Sequence, residues 1–137
     1  MSKRIVIAII AIFIAWSAID FVTHGILLKE TYDATASLWR PMEEMKMPMM
    51  YAVTLASTLC FVFIYECLVF DKSLASGIKL GILFGLVFGI SGGFGSYTYM
   101  PIPMSLAQAW FASLLLEGIV AGALVGMIIT RKEELIA

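Results

Sequence analysis

Apolar positions along this chain fall in four long blocks, residues 5–28, 49–70, 77–100 and 106–130, with few polar interruptions. Each block meets the roughly 20 residues that an α-helix needs to cross about 30 Å of hydrocarbon. Lipid offers backbone groups no hydrogen-bond partner, and barrel strands would alternate, so each block predicts a membrane-spanning α-helix. The connections Asp71–Ser76 and Met100–Ser105 are short. Short links make sequential helices antiparallel neighbours, which predicts an all-α, up-down-up-down four-helix bundle in a single domain over 1–137. The longest connection, Lys29–Pro48, predicts a short interfacial helical loop between the first two spans. There Thr31–Trp39 forms one helix, with Leu38 and Trp39 resting on the interface. Pro41 ends it and opens a second, with Glu43 and Glu44 in the favourable first turn.

Within the third block, glycine recurs at every fourth position: Gly77, Gly81, Gly85, Gly89 and Gly93. The fourth block repeats the spacing at Gly118, Gly122 and Gly126. A glycine inside a soluble helix costs on the order of 1 kcal/mol relative to alanine. In a bilayer the same row clears one ridge of side chains and lets another helix approach closely. This glycine-zipper pattern predicts helix packing along both rows. It leaves open whether they meet each other inside one chain or meet a second copy or a different partner.

Composition agrees with the pattern. Of 137 residues, 61% are hydrophobic and 14% charged, with a mean hydropathy of +0.98. Globular domains carry roughly 25% charged residues. Lys3, Arg4 and the stretch Ala15-Trp16-Ser17 resemble a secretory leader, but the apolar run continues to Leu28, which predicts an uncleaved first span. Lys3, Arg4, Lys72, Lys79, Arg131 and Lys132 gather on one side. Lys29, Arg40 and Lys46 on the other are diluted by Glu30, Asp33, Glu43 and Glu44. By the positive-inside bias both termini are cytoplasmic, in a membrane of the bacterial inner-membrane type. The net charge of −1 gives no footprint for nucleic acid. Cys60 and Cys67 stand seven apart on one helix, too far along the axis for a disulfide, and predict small buried apolar residues.

Ionisable groups inside the spans cost at least 2–3 kcal/mol each near the bilayer centre, so each one calls for a reason. Four candidates for proton or ion handling stand out: Glu117, Asp20, His24 and Glu66. Asp20 and His24 share a helix face, four residues apart, toward the outer end of the first span. Glu117 falls near mid-membrane, where a hydrogen bond to Ser57, Thr58 or Ser91, or a role as a coupling carboxylate, would account for it. Glu66 falls near the cytoplasmic boundary, within reach of headgroups. Methionines crowd the outer loop, and Met45, Met47 and Met49 with His24 form a weak candidate site for Cu(I), which thioethers suit. The same side chains also serve as flexible filler at a lipid boundary.

The string Asp20, His24-Gly25, Leu27-Leu28, Tyr32, Thr35 and Leu38-Trp39-Arg40-Pro41 resembles a pattern in small uncharacterised bacterial four-helix membrane proteins, a domain-of-unknown-function class. The likeness covers about a quarter of the chain and brings no activity. It implies that the loop belongs with Asp20 and His24 as one outer-face unit, with Arg40 folded back over Asp20.

The sequence thus predicts a non-enzymatic integral membrane protein without cofactor, packed through its glycine rows as a homo-oligomer or as an accessory subunit of a membrane complex. Its partners are the lipid bilayer and other membrane chains. No nucleophile–base arrangement points to catalysis. Two alternatives compete: a small proton- or cation-coupled transporter using Glu117, and an outer-face Cu(I)-binding protein.

Overall fold

A computed structural model describes residues 2–130, and every regular element among them is helical. We label the helices α1 (Lys3–Leu27), α2 (Lys29–Ala34), α3 (Met47–Leu68), α4 (Leu74–Tyr99) and α5 (Met104–Ile128). All but α2 are long and apolar enough to cross a membrane. They start two or three residues before the apolar blocks because the starting signals lie there. The Ser2 side chain accepts from the Ile5 N–H and the Ser73 side chain from the Ser76 N–H. Pro48 sits in the first turn of α3, and Pro103 immediately precedes α5. Each of these satisfies, or does without, a backbone donor that a helix start leaves unpaired. The charged residues Arg131 and Lys132 lie outside the described residues.

Two of the long helices change pitch near the same end. Phe21–Leu27 in α1 and Ile90–Gly95 in α4 are wound with the wider π spacing. Such segments re-aim side chains and recur where helices carry function. The α1 segment begins directly after Asp20 and contains Thr23 and His24.

The closest helix pair is α4 with α5. A Cβ added to Gly77 would stand 2.8 Å from the Gly126 Cα, and one on Gly81 would stand 2.9 Å from the Gly122 Cα. On Gly85 it would meet the Leu115 Cα at 2.9 Å, on Gly89 the Phe111 ring at 3.0 Å, and on Gly93 the Phe111 N at 2.9 Å. The reverse set holds. Cβ atoms on Gly118, Gly122 and Gly126 would reach the Cα atoms of Gly85, Gly81 and Leu74 at 2.8, 3.0 and 2.9 Å. Backbone lies on backbone along this seam, the two helices run in opposite directions, and both rows of glycine are occupied within one chain.

Helix α1 runs antiparallel along α5. Arg4 Nη1 donates to the Thr130 carbonyl at 2.8 Å, Trp16 Nε1 to the Glu117 carbonyl at 2.8 Å, and the Ser113 and Thr23 hydroxyls lie 3.1 Å apart. Ile12, Trp16, Phe61, Val62, Tyr65 and Val125 form the centre of the larger core. A second cluster around Ile102, Leu106 and Ala107 receives Tyr32, Trp39 and Trp110, so the loop after α1 rests on the end of α5.

Helix α3 is held differently. Its backbone packs chiefly against α1, and side chains join it to α4, with Phe61 edge-on to Phe84 at 5.0 Å. Its buried residues all fall between Thr58 and Tyr65, and none from Met47 to Ser57 is buried. At the other end Lys72 Nζ donates to the carbonyls of Tyr65, Glu66 and Val69 at 2.7, 2.6 and 2.8 Å. One ammonium thus meets three carbonyls at the helix terminus, of which Tyr65's also accepts the Val69 N–H at 3.2 Å.

Three expectations need correction. The loop is shorter in helix than its pattern suggests: α2 stops at Ala34, and Ala36–Leu38 and Met42–Glu44 are single 3₁₀ turns. The Thr35 hydroxyl bonds back to the Thr31 carbonyl at 2.7 Å and accepts the Trp39 indole N–H at 2.9 Å, which turns the chain before Pro41 can act. Arg40 is exposed and joins no ion pair among the described residues; Asp20 faces His24 instead. Cys60 and Cys67 are free and exposed rather than buried, on the uncovered side of α3.

Candidate functional site

Four-residue spacing on two antiparallel helices builds the polar centre of the bundle. Along α1 it places Trp16, Asp20 and His24 on one face; along α5 it places Ser113 and Glu117 on another. Because α1 and α5 run in opposite directions, the faces meet. Glu117 is 8% exposed and sits halfway along α5. Its Oε1 lies 3.3 Å from the Ser113 hydroxyl, which also touches Thr23. Its carboxyl neighbours that of Asp20, and the two line one cavity. Its main-chain carbonyl holds the Trp16 indole. Ser57, anticipated as a partner of Glu117, lines the same cavity, whereas Thr58 bonds within its own helix to the Thr54 carbonyl at 2.9 Å.

Toward the loop the polar chain continues. His24 Nε2 lies 3.8 Å from Asp20 Oδ1, and His24 Nδ1 lies 2.5 Å from the Tyr32 hydroxyl. Trp110 Nε1 donates to that same hydroxyl at 2.8 Å. An indole N–H can only donate, so the Tyr32 oxygen accepts from Trp110 and turns its own proton to His24. Burial pushes the Tyr32 phenol above its ordinary range, which keeps that proton in place. The neutral imidazole then accepts at Nδ1 and carries its hydrogen at Nε2, toward Asp20. Tyr32 also stacks on His24 at 5.8 Å and meets Trp39 edge-on at 5.4 Å. An aromatic collar therefore flanks the imidazole, which stays 42% exposed.

A cavity of about 120 Å³ opens beside the carboxyl pair. Trp16 and Asp20 of α1, Thr54 and Ser57 of α3, Phe84 and Phe88 of α4, and Glu117 of α5 line it. On its α3 side the cover is thin, since no residue from Met47 to Ser57 is buried.

The other sequence candidates lie elsewhere. Glu66 sits at the far end of α3, 3.7 Å from Lys72 Nζ, and its Oε2 has no hydrogen-bond partner among the described residues. Met47 and Met49 are exposed at the start of α3, and Met45 precedes it. Beside them Lys46, Met49 and Met50 line a shallow hollow, where an ammonium disfavours a bound cation. Both His24 nitrogens already face Tyr32 and Asp20, so the imidazole is not offered to the methionines. No group of three or more His, Cys, Asp or Glu side chains among the described residues is placed to hold a metal ion.

Sequence reasoning missed Trp16, Ser113 and Trp110 as members of this site and held Tyr32 only within the string whose resemblance joins the loop to Asp20 and His24. The signal was present as two i, i+4 strings, W-x-x-x-D-x-x-x-H and S-x-x-x-E, but their meeting depends on the register of α1 against α5. Comparison with family models, curated proteins and solved structures found no match to the chain, so the likeness of the Asp20–Pro41 pattern carries no function with it.

Proposed function

We propose that this chain is an integral membrane protein that binds and releases protons, or exchanges them for another cation, at the Asp20–Glu117 pair. In this reading its four long helices cross the bilayer up-down-up-down, with both ends of the chain on the cytoplasmic side. The glycine seam between α4 and α5 forms the rigid half of the bundle. The observation that carries the reading is the continuous polar chain from Trp110 and Tyr32 through His24 and Asp20 to Glu117 at mid-helix. Two adjoining carboxyl groups in a low-dielectric setting are held together by a proton and repel without one. An imidazole one step away is the side chain best suited to pass that proton on. The outer collar would then be the doorway and Glu117 the terminus. The chain acts without enzymatic chemistry and without a cofactor.

Assembly as a homo-oligomer or an accessory subunit is the weaker reading, because the glycine rows that suggested it are already filled by each other. Copper binding is weaker still, since the imidazole it needs is engaged.

The test is flux. Reconstituted into liposomes with an internal pH-sensitive dye, the wild type should dissipate an imposed proton gradient, and Glu117→Gln should not. Asp20→Asn should lose most of the flux, while Cys60→Ala, on the lipid-facing side of α3, should keep it. Wild-type flux in the Glu117→Gln protein sinks the proposal.

A further inference from the structure

The cavity beside the carboxyl pair has a wall that proton transfer alone does not need. Trp16 and Phe84 stack at 6.3 Å with their planes only 15° apart, and Phe88 continues the row 4.4 Å from Phe84. Asp20 and Glu117 stand among these rings on the same cavity wall, with the hydroxyls of Thr54 and Ser57 on the α3 side. Aromatic faces attract cations, and most strongly where water is scarce. Carboxylates attract them by charge. A proton or a sodium ion would gain little from three rings, and an uncharged apolar ligand would gain nothing from the two carboxyls. Together the two sets select an organic cation.

The route into the cavity favours the same ligand. Helix α3 has no buried residue between Met47 and Ser57, and its ring contact with α4, Phe61 on Phe84, lies beyond that stretch. The α3 side, where Thr54 and Ser57 line the cavity, is therefore its least covered wall and the side from which a ligand in the bilayer would enter. A site for ordered water needs roughly 10–15 Å³ per molecule, and 120 Å³ also accommodates a methylated ammonium headgroup.

We propose that this cleft is a binding site for a lipophilic ammonium ion, reached laterally from the bilayer, and that its binding displaces one proton from the Asp20–Glu117 pair. The inference rests on the proton reading above and names the counter-ligand. Charge balances: one cation enters as one proton leaves. The titratable groups around the pair are Asp20 and His24 from α1, Tyr32 from α2 and Glu117 from α5; α3 and α4 line the cavity with uncharged side chains.

Benzyltrimethylammonium and its uncharged isostere neopentylbenzene separate the possibilities, titrated by calorimetry into the full-length protein in phosphatidylcholine nanodiscs. The expected result is one cation per chain, with about one proton released as read from buffers of different ionisation enthalpy, and no saturable binding of neopentylbenzene. Affinity should fall at least tenfold in Glu117→Gln and about tenfold in Phe88→Leu, the latter reading the loss of one ring face. It should be unchanged in Cys60→Ala. Circular dichroism checks that each variant is folded. Equal binding of the two isosteres, or wild-type affinity in folded Glu117→Gln, overturns the proposal. So does the absence of cation binding in protein whose Glu117-dependent proton flux is intact, a result that leaves the proton reading standing. Loss of both flux and binding brings both down.

Discussion

The indole N–H of Trp16 donates to the main-chain carbonyl of Glu117 over 2.8 Å, joining α1 to α5 at the level of the most buried carboxyl among the described residues. The carbonyl also lies in the helical ladder of α5, so the indole is an added donor rather than a replacement. Trp16 is 5% exposed, and its ring lies edge-on to Phe61 at 6.0 Å. Trp16→Phe should keep most of the packing and lose the hydrogen bond, lowering stability by about 1 kcal/mol. Unfolding in mixed micelles with rising dodecyl sulfate measures this. An unchanged midpoint would show that the bond contributes nothing to the α1–α5 contact.

The donor order Trp110 to Tyr32 to His24 makes a prediction about one proton. Nitrogen-15 spectra of the protein labelled at its single histidine should show the neutral ring protonated at Nε2 and unprotonated at Nδ1. In Tyr32→Phe the donor to Nδ1 is gone, and the two tautomers should mix. That variant should also carry protons more slowly in liposomes while unfolding at nearly the wild-type midpoint. A wild-type spectrum already protonated at Nδ1 would reverse the assigned direction of the chain.

Close approach along α4 and α5 makes the glycines unequal. A Cβ on Gly81 would stand 2.9 Å from backbone atoms of both Gly118 and Gly122, which cannot yield without separating the helices. At Gly25 it meets only the Phe21 ring at 3.5 Å, ordinary contact. Overpacking a fitted interior costs typically 1–3 kcal/mol. Gly81→Ala should therefore lose about 2 kcal/mol or more, and Gly25→Ala should be nearly neutral. Equal tolerance of both substitutions in the same unfolding assay would contradict the seam.

Much of this architecture was legible from residue pattern because the bilayer imposes so strong a rule. Four apolar blocks can only become four helices, and their ends follow from Ser2, Ser73, Pro48 and Pro103. The candidate acids were legible too, since a carboxyl in an apolar run stands out by its cost. What the pattern could not hold was register. The resemblance of the Asp20–Pro41 string implies Arg40 over Asp20, but Asp20 neighbours Glu117, 97 positions away, because α1 lies along α5 with Trp16 and Glu117 level. Cys60 and Cys67 were placed inside because they are small and apolar. In lipid the apolar exterior suits them equally, so hydrophobicity alone cannot tell core from surface. The cavity was invisible for a related reason: it arises where α3 fails to follow its neighbours, and nothing in residues 47–57 announces that gap.

The anchoring of α3 at its other end supplies a final expectation. Lys72 is the donor to three carbonyls, lies 3.7 Å from Glu66 Oε2, and sits 5.0 Å from the centre of the Tyr65 ring. Hydrogen bonds to a charged group contribute about 1.5–3 kcal/mol where they are buried, and this ammonium side chain is only 10% exposed. Lys72→Met keeps the length of the side chain and removes every one of those donors. It should cost about 2 kcal/mol, and it should leave Glu66 without its counter-charge. Because α3 has no buried residue in its outer half, the loss acts on the helix's firmest attachment. Hydrogen exchange should therefore accelerate first at the amides of Glu66, Cys67 and Val69, while the α4–α5 seam keeps its protection. Acceleration spread evenly over all four long helices would mean that Lys72 supports the whole bundle, and that α3 is not the separately held element its contacts describe.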